Sequence, residues 1–349
     1  MYRQNKYFFP VLILLLIGMM ICAIAFGAVS LTPSEMFFSL KHFFQGKEPA
    51  NIHEGVFLQL RLPRVLLCAI TGAILASSGV LMQGLFRNPI VEPGLAGTSA
   101  GAAFGASIVF VLAAKAGPDV KSITGPLLVP LCAFAGGLLA TYAVYILAKK
   151  ANRISITSLL LIGIAINAVG LSGTGFMSYI ARDPQARSIT FWNLGTFSGA
   201  GWTQVMITSA IAALIFFITI RYAKQLNALI LGEEEAAYLG VEPEKLKKRL
   251  MIYNTAMVAV ATAFVGVISF MGLIVPHVLR LLIGGDNKRL LPASMILGAA
   301  LMLLADMGAR LLLAPAEIPI GIITSMVGAP VFILLLKRYN VLDKGGYYA

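Results

Sequence analysis

Arg61-Leu-Pro-Arg64 opens an apolar run that breaks at Phe86-Arg87-Asn88-Pro89, restarts at Pro93 and continues through Gly105. The second half carries an answering stretch, Val265-Gly-Val-Ile-Ser-Phe-Met-Gly-Leu-Ile-Val-Pro-His277. It is followed by Gly298-Ala-Ala-Leu-Met-Leu-Leu-Ala-Asp306-Met-Gly-Ala-Arg310 and by Glu317-Ile-Pro-Ile-Gly321. Apolar runs of about 20 residues that begin or end at basic residues and prolines match the ~30 Å hydrocarbon core of a bilayer crossed as helix.

The composition agrees. Of 349 residues, 58% are hydrophobic and 12% charged, too little polar surface to coat a soluble particle. The expected fold is therefore an all-α membrane protein. Its ten spans lie near 8–30, 63–84, 93–113, 126–148, 155–180, 203–221, 251–264, 266–283, 290–314 and 318–336. The run from Met251 to Gly284 is almost unbroken, and the turn dividing the seventh span from the eighth is expected around Val265–Gly272. With no long linker, residues 1–349 read as one membrane domain, carrying one sizeable insertion at about 222–250.

Ten spans return the C-terminus to the side of the N-terminus. Of the 27 Lys and Arg, nine fall on the opposite side: Lys41, Lys47, Arg61, Arg64, Lys115, Lys121, Arg182, Arg187 and Arg310. The other 18 lie with the termini, which places both termini in the cytoplasm. The net charge of +12 is then an insertion bias and not a sign of nucleic-acid binding. Arg3 and Lys6 before an apolar run resemble a signal peptide, but the run is longer than a signal core and reads as a span. Cys22, Cys68 and Cys132 have neither ligand spacing nor a nearby partner, and read as small packing residues.

The insertion looks like two short helices. Glu233, Glu234 and Glu235 occupy the first turn of Gly232-Glu-Glu-Glu-Ala-Ala-Tyr-Leu-Gly240, where the helix dipole favours acids, and Gly240 suits a left-handed C-terminal cap. Pro243 opens a second helix ending in Lys245, Lys247, Lys248 and Arg249. On its own this is a solvated loop with a basic juxtamembrane end.

Taken together, these motifs closely resemble the membrane-spanning permease of bacterial type II ABC importers for iron-siderophore, haem and cobalamin, over nearly the whole chain. The resemblance implies a second permease copy, two ATP-binding cassette subunits and a substrate-binding protein in a bacterial inner membrane. It implies no cofactor on this chain, ATP and Mg being held by the partner ATPase. The Leu-Gly-x-x-x-Ala-x-x-Leu-Gly element at Leu231–Gly240 matches the piece that couples to the ATPase, which assigns Glu233, Glu235, Ala236, Leu239 and Gly240 to coupling, with Ala236 on the face entering the ATPase groove. Arginines matching Arg61, Arg64 and Arg310 dock acidic residues of the binding protein in that family. Snorkelling to the interface is the plain alternative for all three. Asp306, four residues before Arg310, is placed to orient it.

Asn167, Ser172 and Thr174 interrupt an apolar span and are pathway candidates, or simply bond a neighbouring helix. His277 tempts a haem-ligand assignment, but its peptide matches a family signature found irrespective of cargo; His42 and His53 lack metal spacing, so no metal site is expected. The chain contains no Gly-x-x-x-x-Gly-Lys-Ser/Thr loop, so it is not expected to be an enzyme. The expected function is ATP-driven import of haem or a ferric siderophore. Cobalamin import, or more remotely an ion-coupled carrier, stands as the alternative.

Overall fold

The computed structural model describes residues 6–27, 32–45, 51–115, 127–150 and 153–343. In order, its helices are α1 (Phe8–Ala25), α2 (Pro33–Phe44), α3 (Leu62–Leu85), α4 (Thr98–Lys115), α5 (Leu128–Ala148), α6 (Ile156–Ile180) and α7 (Gln185–Asn193). Then follow α8 (Trp202–Arg221), α9 (Ala223–Leu231), α10 (Glu233–Tyr238), α11 (Pro243–Val265), α12 (Met271–Ile283), α13 (Asn287–Leu311) and α14 (Ile320–Asp343). Among the described residues the only strand pairing is the two-residue ladder of Lys149–Lys150 against Arg153–Ile154.

Ten of these helices, α1, α3–α6, α8 and α11–α14, correspond to the ten expected spans. Among the described residues six stretches are long and apolar enough to cross a membrane by themselves, one being Ile52–Leu85, in which α3 is preceded by a helical turn and a π-helical segment, Val56–Arg61. The wider π turn frees backbone carbonyls, and the Trp202 indole N–H donates to the Leu58 carbonyl at 3.0 Å. The expected boundaries at Ser30 and Pro126, and the charges Arg3, Lys47, Lys121 and Lys344, lie outside the described residues.

Two expectations are corrected. The third span starts at Thr98, because Pro93–Ala96 forms a 3-10 turn closed by Gly97 in the left-handed region. The seventh starts at Pro243, because the basic segment that reads as a separate short helix continues without a break into the membrane as α11. The seventh and eighth spans do separate where expected: α11 stops at Val265, and Phe270, with φ of 70°, precedes Met271.

Helix α3 is the hub. In its most apolar window 78% of residues are buried, against 11% for α1 at the rim. Lipid tails give no hydrophobic reward for burying a helix, so close van der Waals contact has to hold it. Glycines provide that contact: a Cβ on Gly72 would strike the Gly298 carbonyl of α13, and one on Gly79 would strike the Gly272 carbonyl of α12.

Gly79→Val is therefore expected to separate α3 from α12 and lower stability by about 3 kcal/mol, the upper range for overpacking. Gly18→Ala in α1, where a Cβ meets nothing within 4 Å, should leave the thermal unfolding midpoint in detergent unchanged or slightly raised.

Candidate functional site

Three linked sites emerge, one where helices break and one at each end of the bundle. The breaks at 86–97 and 266–270 face each other across a cavity of about 550 Å³. Irregular backbone at membrane depth persists only where protein or a cavity satisfies its polar groups. Two side chains do this beside the cavity. Glu92 accepts the Phe270 N–H at 2.9 Å, and the Asn167 amide of α6 donates to the Leu95 carbonyl at 3.3 Å. Asn167 and Thr174 both line the cavity, the Thr174 hydroxyl being turned back to the Gly170 carbonyl at 2.9 Å. Ser172 lies on the exposed face of α6, outside this cavity.

At the end opposite the termini, the three arginines converge. Asp306, 1% exposed, receives Arg64 at 2.9 Å and Arg310 at 3.0 Å, so the expected pairing within α13 is present and Arg64 is added to it. Arg64 also forks onto Glu317 at 2.7 and 3.0 Å. Helix α1 ends here with orphan carbonyls. Arg310 donates to those of Ala23 and Phe26, and Arg61 to those of Ile24 and Ala25, at 2.6–3.2 Å. The guanidinium charges sit where the negative end of the helix dipole favours cations. Arg61 is 7% exposed, so it is buried against α1 and does not snorkel into the interface. Of this cluster, the Glu317 side chain is the most open, at 40%.

At the terminus end, α10 lies outside the bundle. Tyr238 is 90% and Leu239 64% exposed, whereas Ala236 is fully buried. The expectation that Ala236 faces outward is thus corrected: Glu234, Glu235, Ala237, Tyr238 and Leu239 form the open face. The inward side is held by Lys247, which the sequence presents as one of several solvated cations. It is 1% exposed; its ammonium pairs with Glu233 at 3.0 Å and Glu244 at 2.5 Å and donates to the Ile154 carbonyl at 2.8 Å. Glu244 in turn accepts the Ile154 N–H at 2.8 Å. One lysine thereby joins α10, α11 and the hairpin that leads into α6.

Glu92, Glu317 and Lys247 carry no assigned role in the sequence. An isolated acid in an apolar stretch flags Glu92, but nothing marks Lys247 among its basic neighbours. His277 is buried in α12, while His42 and His53 pair with Glu54 and Glu35, each at 2.9 Å. Among the described residues no group of three metal-ligating side chains occurs.

The profile of the FecCD transport family matches residues 14–338. The chain is 39% identical to the hemin transport system permease of Yersinia pestis, over 83% of this chain and 85% of that one. It is 35% identical to the vitamin B12 import system permease of Klebsiella pneumoniae, over 96% and 95% respectively. A solved structure, assigned to the metal-chelate type of ABC transporter and in an inward-facing conformation, superposes with a TM-score of 0.83 at 31% identity, covering 95% of this chain and 99% of the other. The all-α fold expected from the sequence is thus that of a type II importer permease.

Removing one partner of a buried ion cluster leaves uncompensated charge. Asp306→Leu is expected to lower stability by about 3–5 kcal/mol, whereas Glu317→Gln, at a half-open position, should cost less than about 1 kcal/mol. Chemical unfolding of the two variants in the same detergent separates these outcomes.

Proposed function

This chain belongs to the FecCD transport family, and from that premise we propose that it is the membrane-spanning permease of an ATP-driven importer for an iron chelate, haem or a ferric siderophore. Two copies form the passage about a two-fold axis in a bacterial inner membrane, with both termini in the cytoplasm. Separate ATPase subunits hold ATP and Mg, and a binding protein delivers cargo from the other side.

The observation that carries this reading is the open tip of α10. An apolar pair, Tyr238 and Leu239, projects from an acidic helix outside the bundle, where water would be its only neighbour unless a partner covers it. The residues proposed for coupling divide into two roles. Leu239 and Glu235 meet the ATPase, while Glu233, through Lys247, passes its displacement to the hairpin at Ile154 and hence to α6, whose Asn167 and Thr174 border the cavity. Ala236 seats the helix from within, and Gly240, with φ of 79°, closes it.

At the far end, Glu317 occupies the place on Arg64 that an incoming carboxylate would take. Docking of the binding protein then exchanges Glu317 for an acid of the partner on Arg64, while Arg61 and Arg310 hold α1 in position and supply positive field. Asp306 is matched by two arginines, which supports a structural counter-ion and not the proton relay of an ion-coupled carrier. A second cargo, cobalamin, is favoured by one finding: the Klebsiella vitamin B12 permease aligns over more of this chain than the Yersinia hemin permease does.

The test reconstitutes the chain with its ATPase in vesicles, with loaded binding protein outside and ATP within. Labelled haem or ferric siderophore should accumulate with ATP and survive collapse of the proton gradient. Uptake that vanishes with an ionophore and ignores ATP would refute the importer, and preference for cobalamin would revise only the cargo. Leu239→Arg is expected to release the ATPase on co-purification while the bundle stays folded. Ala236→Arg should instead unseat α10, seen as a loss of local protection in hydrogen exchange.

A further inference from the structure

A groove of about 760 Å³ runs between α5 and α11 on the outer surface of the bundle. Leu138, Tyr142 and Ile146 form one wall, Met251, Ile252 and Thr255 the other. Tyr142 is 61% and Ile252 54% exposed, so the groove is open along its length. Its two threonines are engaged within the bundle, the Thr255 hydroxyl donating to the Met251 carbonyl at 2.7 Å and the Thr141 hydroxyl pairing with that of Thr98 at 2.8 Å. At one end stand Lys149, just past the end of α5, and Lys248, in the first turns of α11.

We propose that this groove binds one anionic phospholipid, its headgroup phosphate between Lys149 and Lys248 and an acyl chain along the apolar walls. The inference rests on α5 and α11 crossing the membrane, as in the function proposed above.

Three observations carry it. The first is length. From Leu138 to Lys149 the helical rise of 1.5 Å per residue gives about 16 Å, close to the ~15 Å depth of one leaflet. The second is level: α5 ends and α11 begins on the terminus side, so both lysines sit at headgroup height and not at the midplane. The third is charge. Neither Lys149 nor Lys248 makes an ion pair among the described residues, whereas the adjacent Lys247 is taken up by Glu233 and Glu244. One residue further along the helix turns Lys248 about 100° away, into the groove. Two unneutralised ammonium groups above an apolar trough complement a phosphodiester with its chains, and basic pockets between spans at this level select anionic headgroups.

The experiment uses the full chain, purified, delipidated and titrated in nanodiscs of phosphatidylcholine containing increasing phosphatidylglycerol, with bound lipid counted by native mass spectrometry. Phosphatidylglycerol should be retained in preference to phosphatidylcholine. The double variant Lys149→Gln/Lys248→Gln should weaken its retention about twenty-five-fold, since each lysine near an anionic surface contributes about fivefold. Ala256→Phe, which fills the groove, should abolish the specific lipid, while Lys224→Gln, an exposed lysine outside it, should change nothing. Circular dichroism and a monodisperse elution profile keep misfolding apart from lost binding. Equal retention of phosphatidylglycerol by the double variant overturns the proposal. So does displacement of the lipid by inorganic phosphate alone, or crosslinking of Tyr142→Cys to a second copy across the groove. Lipid counting needs neither ATPase nor cargo, so its failure leaves the transport reading untouched, and the reverse also holds.

Discussion

A helix surrounded by lipid gains little from hiding its leucines, because the tails it leaves are as apolar as the side chains it meets. Helix α3 is nevertheless almost wholly buried, and the reason is steric. Gly72 and Gly79 remove the side chains that would hold α13 and α12 away, so that backbone meets backbone and many weak dispersion contacts accumulate. The other spans take their positions around this seam, and the hydrogen bond from the Gln83 side chain to the Gly272 carbonyl at 3.1 Å exists only because the two backbones come so close.

That closeness has a consequence for the helices that break. Helix α12 has 13 residues, about 20 Å at helical rise, too short for the hydrocarbon core, so the chain around Gly266–Phe270 runs unwound at depth. A second unwound stretch, before Thr98, lies opposite. Their polar groups are met by Glu92 and Asn167, and the space between the breaks becomes a cavity lined by both. Broken helices meeting at a cavity are a recurrent way to place polar backbone beside a transported solute.

Charge is treated alike at the two ends. Asp306 is buried with Arg64 and Arg310; Lys247 is buried with Glu233 and Glu244. Each central group is at most 1% exposed, and each binds partners from segments far apart in sequence. Such clusters are poor sources of net stability but strongly penalise any arrangement that separates the partners. They suit a protein whose ends must move as units, and each buried centre is ringed by more open partners, Glu317 at one end and Glu233 and Glu244 at the other.

The number of spans, their order and the break near Val265 were legible in the sequence, because hydropathy over 20 residues is a local property that the bilayer enforces segment by segment. The Asp306–Arg310 pair was legible too, since spacing of four fixes neighbours on one helix. What the sequence does not hold is which face of a helix looks inward and what meets it there. Ala236 turned inward where the motif implied outward, and Lys247 was indistinguishable from Lys245 and Lys248 until packing buried it against Glu233, 14 residues away. Arg64 found its acids 242 and 253 residues along the chain. Those pairings depend on how close α3 can come to α13, a distance set by glycines whose effect appears only when two helices are placed together.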